Sequence, residues 1–268
     1  YVRDLAASFA KYQAVKKAWR EGSVLIEKKQ HYEKLLSKVS AALLVGEIQD
    51  LGSFYYENLD QRLADRKAGL THRPDLAIKT GLDGLDYRLS GLCPSELGII
   101  MGPMKRGKSL VACNFARGAL YFNKNVAYFG FEGKKEKTET RFDSIISGVP
   151  KDELKDREDL VRAKVNNFFK GKNKGQLVIK HYTVGTCSAW TIEAHLQKLK
   201  AVTGFVPDVI FVDYLGLMRC ADKTMKFEGS SGGRYLMFGE ITKELLALAQ
   251  RNNYAVWLIH QTTKKSLK

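Results

Sequence analysis

Apolar residues in this chain follow two rhythms. Up to residue 68 they recur every three or four positions: Val2, Leu5, Phe9, Tyr12, Val15 and Trp19 form one stripe, and Tyr32, Leu35, Leu36, Val39 and Leu43 a second. That spacing predicts helices with one apolar face, and nothing in the segment alternates as a strand would. Such a stripe, lying outside the main core, must be covered by its own domain or by a neighbouring subunit. From residue 97 short apolar runs take over, at 97–101, 126–131, 177–181, 209–212 and 255–259. Between them lie stretches of helical period at about 108–121, 135–147, 151–170, 188–202 and 235–252. Strands apolar at nearly every position are buried on both faces, and their alternation with helices predicts an α/β fold with a mostly parallel central sheet and helical crossovers. The Gly- and Pro-bearing stretch from 68 to 92 reads as a linker between a helical segment, 1–68, and this α/β domain, 69–268.

Composition narrows the class. The 268 residues suffice for one large domain with an appendage. No uncharged apolar run reaches the length of a membrane helix, and the first residues lack the pattern of a secretory signal, so a cytoplasmic protein with no membrane partner is expected. Cys93, Cys113, Cys187 and Cys220 are widely spaced, with no His at metal-ligand spacing, which speaks for free thiols rather than disulfides or a zinc site. Forty-four basic residues against twenty-nine acidic ones give a net charge of +15. A field of that sign attracts polyanions such as nucleic acid, although the excess is spread along the chain and serves solubility as well.

The chemistry is concentrated at the ends of the apolar runs. Gly102-Pro103-Met104-Lys105-Arg106-Gly107-Lys108-Ser109 fits G-x-x-x-x-G-K-[ST], follows the run LGIIM and opens a helix at Leu110. In such a cradle the glycines let backbone N–H groups point inward, the lysine places a charge on the outer phosphates, and the serine hydroxyl can ligate Mg²⁺. The helix presents its positive end to the anion. A nucleotide site that hydrolyses also needs an acid to hold the metal and a base to orient water. Asp213, after the run VIFV, stands where a parallel strand ends and ligands bind. Glu132, after AYFGF, suits the base or merely begins a loop. Gln261, after AVWLIH, suits a neutral sensor of the γ-phosphate or satisfies loop backbone. His260 beside it is paired with no nucleophile and reads as a packing residue.

Together these residues resemble the replicative helicases of the DnaB family, phage-encoded members in particular, within the RecA-like class of P-loop NTPases. The resemblance runs from TGLDGLDYRLSGLCPSEL through GPMKRGKS, YFGFEG and VDYLGLM to GEITKELLALAQRNNYAVWLIHQ. It implies an ATP-driven motor that translocates on single-stranded DNA and unwinds duplex as a ring, expected to be a hexamer, with a primase and a helicase loader as further partners. It implies that residues 102–110 bind ATP, with Lys108 on the β- and γ-phosphates, Ser109 and Asp213 on Mg²⁺, and Glu132 activating water. Gln261 would couple the γ-phosphate to the segment after it, and Arg141 would contact the nucleotide, unless it is a solvated helix charge. DNA contacts would come from 219–235, with Lys223, Lys226 and Arg234, and from Lys264 and Lys265, unless the first is an ordinary surface loop. The helical segment before residue 68 is similar to the family's linker, whose helix packs on the adjacent subunit. Three departures stand out: Ser95 where the family usually has a second glycine, Gly133 where relatives often have Met, and a chain ending at Lys268, ahead of the strands that carry the family's arginine finger. Other readings of the same residues are a RecA-like recombinase or signalling ATPase, and a nucleotide-binding ring that has lost turnover.

Overall fold

The computed structural model describes residues 2–27, 38–39, 42, 55–68, 76–170, 175–221 and 231–262. The chain divides into two compact units, Tyr1–Thr71 and His72–Lys268. In the first, helix α1 spans Val2–Glu27 and α2 spans Leu59–Lys67. Phe9, Tyr12 and Trp19 of the predicted stripe are 64%, 60% and 71% exposed, whereas Ala18 is buried. Small side chains therefore face the interior of this unit, and the aromatic face is left to solvent. Most of the second predicted stripe, Tyr32 to Leu43, lies outside the described residues.

In the second unit a short helix α3, Asp83–Leu89, precedes strand β1, Leu97–Gly102. Then come α4 (Lys108–Tyr121), β2 (Val126–Gly130), α5 (Lys135–Ser147), α6 (Glu158–Phe169), β3 (Leu177–His181), α7 (Ala189–Thr203), β4 (Val209–Asp213), α8 (Ser231–Asn252) and β5 (Ala255–Gln261). The strands form one sheet in the order β1-β5-β4-β2-β3, and every pairing is parallel. Every residue of β2 and β4 is buried, including the charged Asp213 that ends β4, and the rest of both strands is apolar as burial on both faces requires. One face, with Phe129, Ile210, Val212 and Leu258, packs on Ile192 and Leu196 of α7 and Ile241, Leu245 and Leu248 of α8. The other, with Tyr128, Phe211, Trp257 and Ile259, packs on Ala112, Phe115 and Ala116 of α4 and Phe142 of α5. The result is a three-layer α/β fold with a parallel central sheet.

Two sequence expectations need correction. The stretch from 151 to 170 is not one helix: Lys151–Glu153 is a 3-10 turn, and α6 starts at Glu158. Nor are the described residues of the supposed linker loose. Ile78 and Leu92 exchange backbone hydrogen bonds of 2.8 and 3.0 Å and are both buried in the core. Asp86 accepts from the N–H groups of Thr80 and Gly81 and from the Thr80 hydroxyl, folding the segment into a compact turn. That turn lies against α4 at Gly118, where a Cβ would stand 2.1 Å from the Thr80 carbonyl oxygen. Ser95, at the position where the resemblance leads one to expect glycine, has φ 70°. The turn calls for a left-handed residue, and serine adopts that conformation with its hydroxyl 3.0 Å from Asn253 Oδ1.

Candidate active site

A parallel sheet brings the carboxyl ends of all its strands to one edge, and register decides which ends are neighbours. Gly102 pairs with Gln261, and Gly130 pairs with Asp213 on one side and His181 on the other. The loop after β1, the base of α4, Glu132, Asp213 and Gln261 consequently share one cleft of about 300 Å³, lined also by Lys137, Arg141 and Tyr214. Five cationic side chains, Lys105, Arg106, Lys108, Lys137 and Arg141, face two acids there, so the site favours an anion.

The cradle is built locally. Lys105 and Gly107 are left-handed, with φ 57° and 81°, which curls the backbone between β1 and α4. Gly107 is the N-cap of helix α4 and supplies no side-chain cap, leaving first-turn N–H groups at the cleft. The Lys108 ammonium crosses the loop and donates to the Pro103 carbonyl at 2.6 Å. Gly102 and Pro103 thus shape the cradle without lining the cleft, whereas Met104 to Leu110 line it.

Asp213 closes the opposite wall. It is 6% exposed, and its Oδ2 accepts a hydrogen bond of 2.7 Å from the Tyr128 hydroxyl on the neighbouring strand. Burial, and then the nearby Cys113 and Asp213, hold the Tyr128 phenol well above its ordinary pKa, so it donates as a neutral hydroxyl. That leaves Oδ1 of Asp213 for the cleft. Tyr214, joined to Asp213 by a cis peptide bond, has its pKa raised by burial and by the charges of Glu132 and Asp213. Among the described residues no group of three or more His, Cys, Asp or Glu side chains could hold a metal ion alone. A hard cation here would take Ser109 and Asp213 from the protein and complete its shell with phosphate and water, the habit of Mg²⁺ at nucleotide sites. The residues present fit that group.

Other sequence expectations fall elsewhere. Arg234 is exposed on α8 and does not line the cleft, and Lys223, Lys226, Lys264 and Lys265 lie outside the described residues. His260 packs its ring edge against Phe238 at 5.1 Å, and burial followed by the Lys108 charge pulls its pKa below 6.5. All four cysteines are free, and burial pushes the thiols of Cys113 and Cys187 up to about 12. Lys137 and Tyr128 were not singled out in the sequence. Lys137 sits four residues before Arg141 on α5, a spacing that puts both on one helix face and would have revealed it. Tyr128 shows itself only once β2 is known to lie beside β4.

Comparison with known proteins places this arrangement. The sequence profile of the family described as DnaB-like helicase C terminal domain matches residues 77–267. The chain belongs to the DnaB-like helicase family. A DnaB-like replicative helicase of Enterobacteria phage T4 is 30% identical over 173 residues, 63% of this chain and 36% of that protein. The replicative DNA helicase DnaB of Rickettsia bellii (strain RML369-C) is 30% identical over 204 residues, 70% of this chain and 38% of that protein. This DnaB-family chain thus spans little more than a third of the curated relatives it matches. In fold it is similar to a DnaB-like replicative helicase solved in a study of its interactions with primase, with a TM-score of 0.61 at 16% identity, covering 96% of this chain and 60% of the other. A second solved structure, of an isolated ATPase domain, gives a TM-score of 0.60 at 16% identity, covering 77% of this chain and 72% of the other. No helix among the described residues is long and apolar enough to cross a membrane.

Proposed function

We propose that this chain is the ATP-driven motor of a replicative DNA helicase, with residues 69–268 as the motor and 1–68 as a segment that packs on the adjacent subunit. Copies assemble as a hexameric ring in the cytoplasm of a bacterium or a phage-infected host, translocate on single-stranded DNA, unwind duplex, and work with a primase and a helicase loader. One observation carries the reading: an uncapped helix terminus, a lysine, a buried aspartate, a glutamate and a glutamine converge on one cationic cleft at the carboxyl edge of the sheet. The exposed aromatic face of α1 supports the packing role.

In this mechanism the first-turn N–H groups of α4 and the Lys108 ammonium receive the β- and γ-phosphates, and Lys105, Arg106 and Arg141 balance their charge. Ser109 and Asp213 would hold Mg²⁺, which when bound draws charge from the phosphates. Glu132 takes the proton of the attacking water. Gln261 contacts the γ-phosphate, and the segment directly after it, with Lys264 and Lys265, transmits that state toward DNA. Lys223 and Lys226, after β4, and Arg234, near the start of α8, track the phosphates of the strand.

Steady-state ATPase of the intact gene product with single-stranded DNA tests the reading. Glu132→Gln is expected to bind ATP normally and to stall. Turnover equal to wild type would remove Glu132 from its role, and absence of DNA-stimulated turnover in the wild type would sink the motor. Affinity for single strands is expected to fall with rising salt as counterions are released.

A further inference from the structure

Glu132 is exposed and stands on a short bridge, residues 131–134, between β2 and α5. A base on a loose loop is a poor catalyst, because small errors in aim are costly. Two backbone ties hold the start of this bridge: the Phe131 N–H donates to the Asp213 carbonyl at 2.9 Å, and the Tyr182 N–H donates to the Gly130 carbonyl at 3.0 Å. A side chain holds its far end. His181 Nδ1 lies 3.2 Å from the Gly133 carbonyl oxygen, and His181 Nε2 lies 3.1 Å from Thr138 Oγ1. A carbonyl only accepts, so Nδ1 carries a proton and donates to Gly133, while Nε2 pairs with the threonine hydroxyl.

One imidazole therefore joins the end of β3, the Glu132 bridge and the buried Thr138 of α5. Two glycines make the arrangement possible. A Cβ at Gly130 would lie 2.3 Å from His181 Nε2 and 2.4 Å from Cε1, so only glycine leaves a seat for the ring. Gly133 is left-handed at φ 76°, a conformation that glycine takes without steric cost.

We propose that His181 is a positioning residue: seated over Gly130, it fixes the bridge that aims Glu132 at the attacking water. The inference rests on the hydrolase reading above. Its test measures kcat and KM for ATP in the intact gene product with single-stranded DNA, for wild type, Glu132→Gln, His181→Ala, His181→Asn and the His181→Ala/Glu132→Gln double variant. His181→Ala is expected to lower kcat on the order of 10- to 100-fold with KM unchanged. Asn keeps a donor near the Nδ1 position and is expected to recover most of the loss. The double variant is expected to be no slower than Glu132→Gln alone. Gly130→Ala, which displaces the ring without removing it, is expected to reproduce the loss in kcat.

A merely structural role would give a different pattern. Lys137 and Arg141 ride on the same helix, so loosening that helix would raise KM, and the loss would multiply with that of Glu132→Gln. Either result, or wild-type kcat in His181→Ala while Glu132→Gln is inactive, overturns the proposal and leaves the hydrolase reading intact. Wild-type turnover in Glu132→Gln overturns the hydrolase reading instead. Hydrogen exchange in the nucleotide-free chain gives a check independent of turnover: amides of 131–134 are expected to exchange faster in His181→Ala, and unchanged exchange would also refute the clamp.

Discussion

Replacing Tyr128 by Phe removes one oxygen atom from the middle of the sheet. The ring keeps its neighbours, Phe142 edge-on at 5.7 Å and Phe211 stacked at 6.0 Å, so apolar burial hardly changes. What is lost is the phenol's contact with the buried Cys113 thiol and, chiefly, its 2.7 Å hydrogen bond to Asp213 Oδ2, on a carboxylate that is only 6% exposed. Hydrogen bonds to charged groups contribute about 1.5–3 kcal/mol, and a buried acceptor stripped of its donor bears the full desolvation cost. For a unit of this size each 1 kcal/mol lowers Tm by about 2–4 °C, so Tyr128→Phe is expected to melt about 3–12 °C below wild type. Urea denaturation followed by circular dichroism supplies the free energies for a cycle with Asp213→Ala. The expected coupling between the two residues is about 1.5–3 kcal/mol. Tyr128→Phe as stable as wild type, or an equal loss in the Asp213→Ala background, would show that the phenol does not hold this carboxylate.

Three further outcomes follow from the packing and the titrating groups. Gly118→Ala drives a Cβ to within 2.1 Å of the Thr80 carbonyl oxygen; a cost of about 1–3 kcal/mol or more is expected, with faster proteolysis confined to residues 76–92. Ser95→Gly relieves a left-handed serine at φ 70°, and thermal melts are expected to show a gain of up to about 1 kcal/mol, reduced by the lost contact with Asn253. His195 and His260 both have folded-state pKa values below 6.5, His195 through burial and then Lys180 and Lys198, His260 through burial and then Lys108. Below that pH the unfolded chain binds more protons than the folded one. Stability is therefore expected to hold above about pH 6.5 and to fall as the pH drops toward the folded values; His195→Gln with His260→Asn is expected to flatten that fall in thermal melts across the same window.

The sheet was legible because its central strands, buried on both faces, are nearly continuous apolar runs that alternate with helical stretches. Helices α4 and α5 were legible as the stretches between successive apolar runs, α4 also from the glycine-bounded motif that opens it. Residues 151–157 misled because the apolar period of α6 extends backward past its true start, where a 3-10 turn intervenes. The stretch 76–92 misled for the opposite reason. Its glycines look like those of a flexible linker, but Gly81 serves close approach to α4 at Gly118 and Gly91 close approach to Ile78, and only tertiary structure reveals that Ile78 and Leu92 are core residues. The cleft follows the same division. Asp213, Glu132 and Gln261 each follow an apolar run, Lys108 and Ser109 close a glycine-bounded motif, and all five could be named one by one. Tyr128 and His181 depend on β2 lying between β4 and β3, a fact about strand order that no local stretch of sequence contains.

The central claim is that the cationic cleft at the carboxyl edge of the sheet holds a magnesium-bound triphosphate. Calorimetric titration of the chain with a slowly hydrolysed ATP analogue and Mg²⁺, for wild type beside Lys108→Ala, tests it most directly. A charge-assisted contact is worth about 1.5–3 kcal/mol, so the variant is expected to bind on the order of 10- to 100-fold more weakly. Binding of equal strength by both proteins, or none by wild type, would contradict the account.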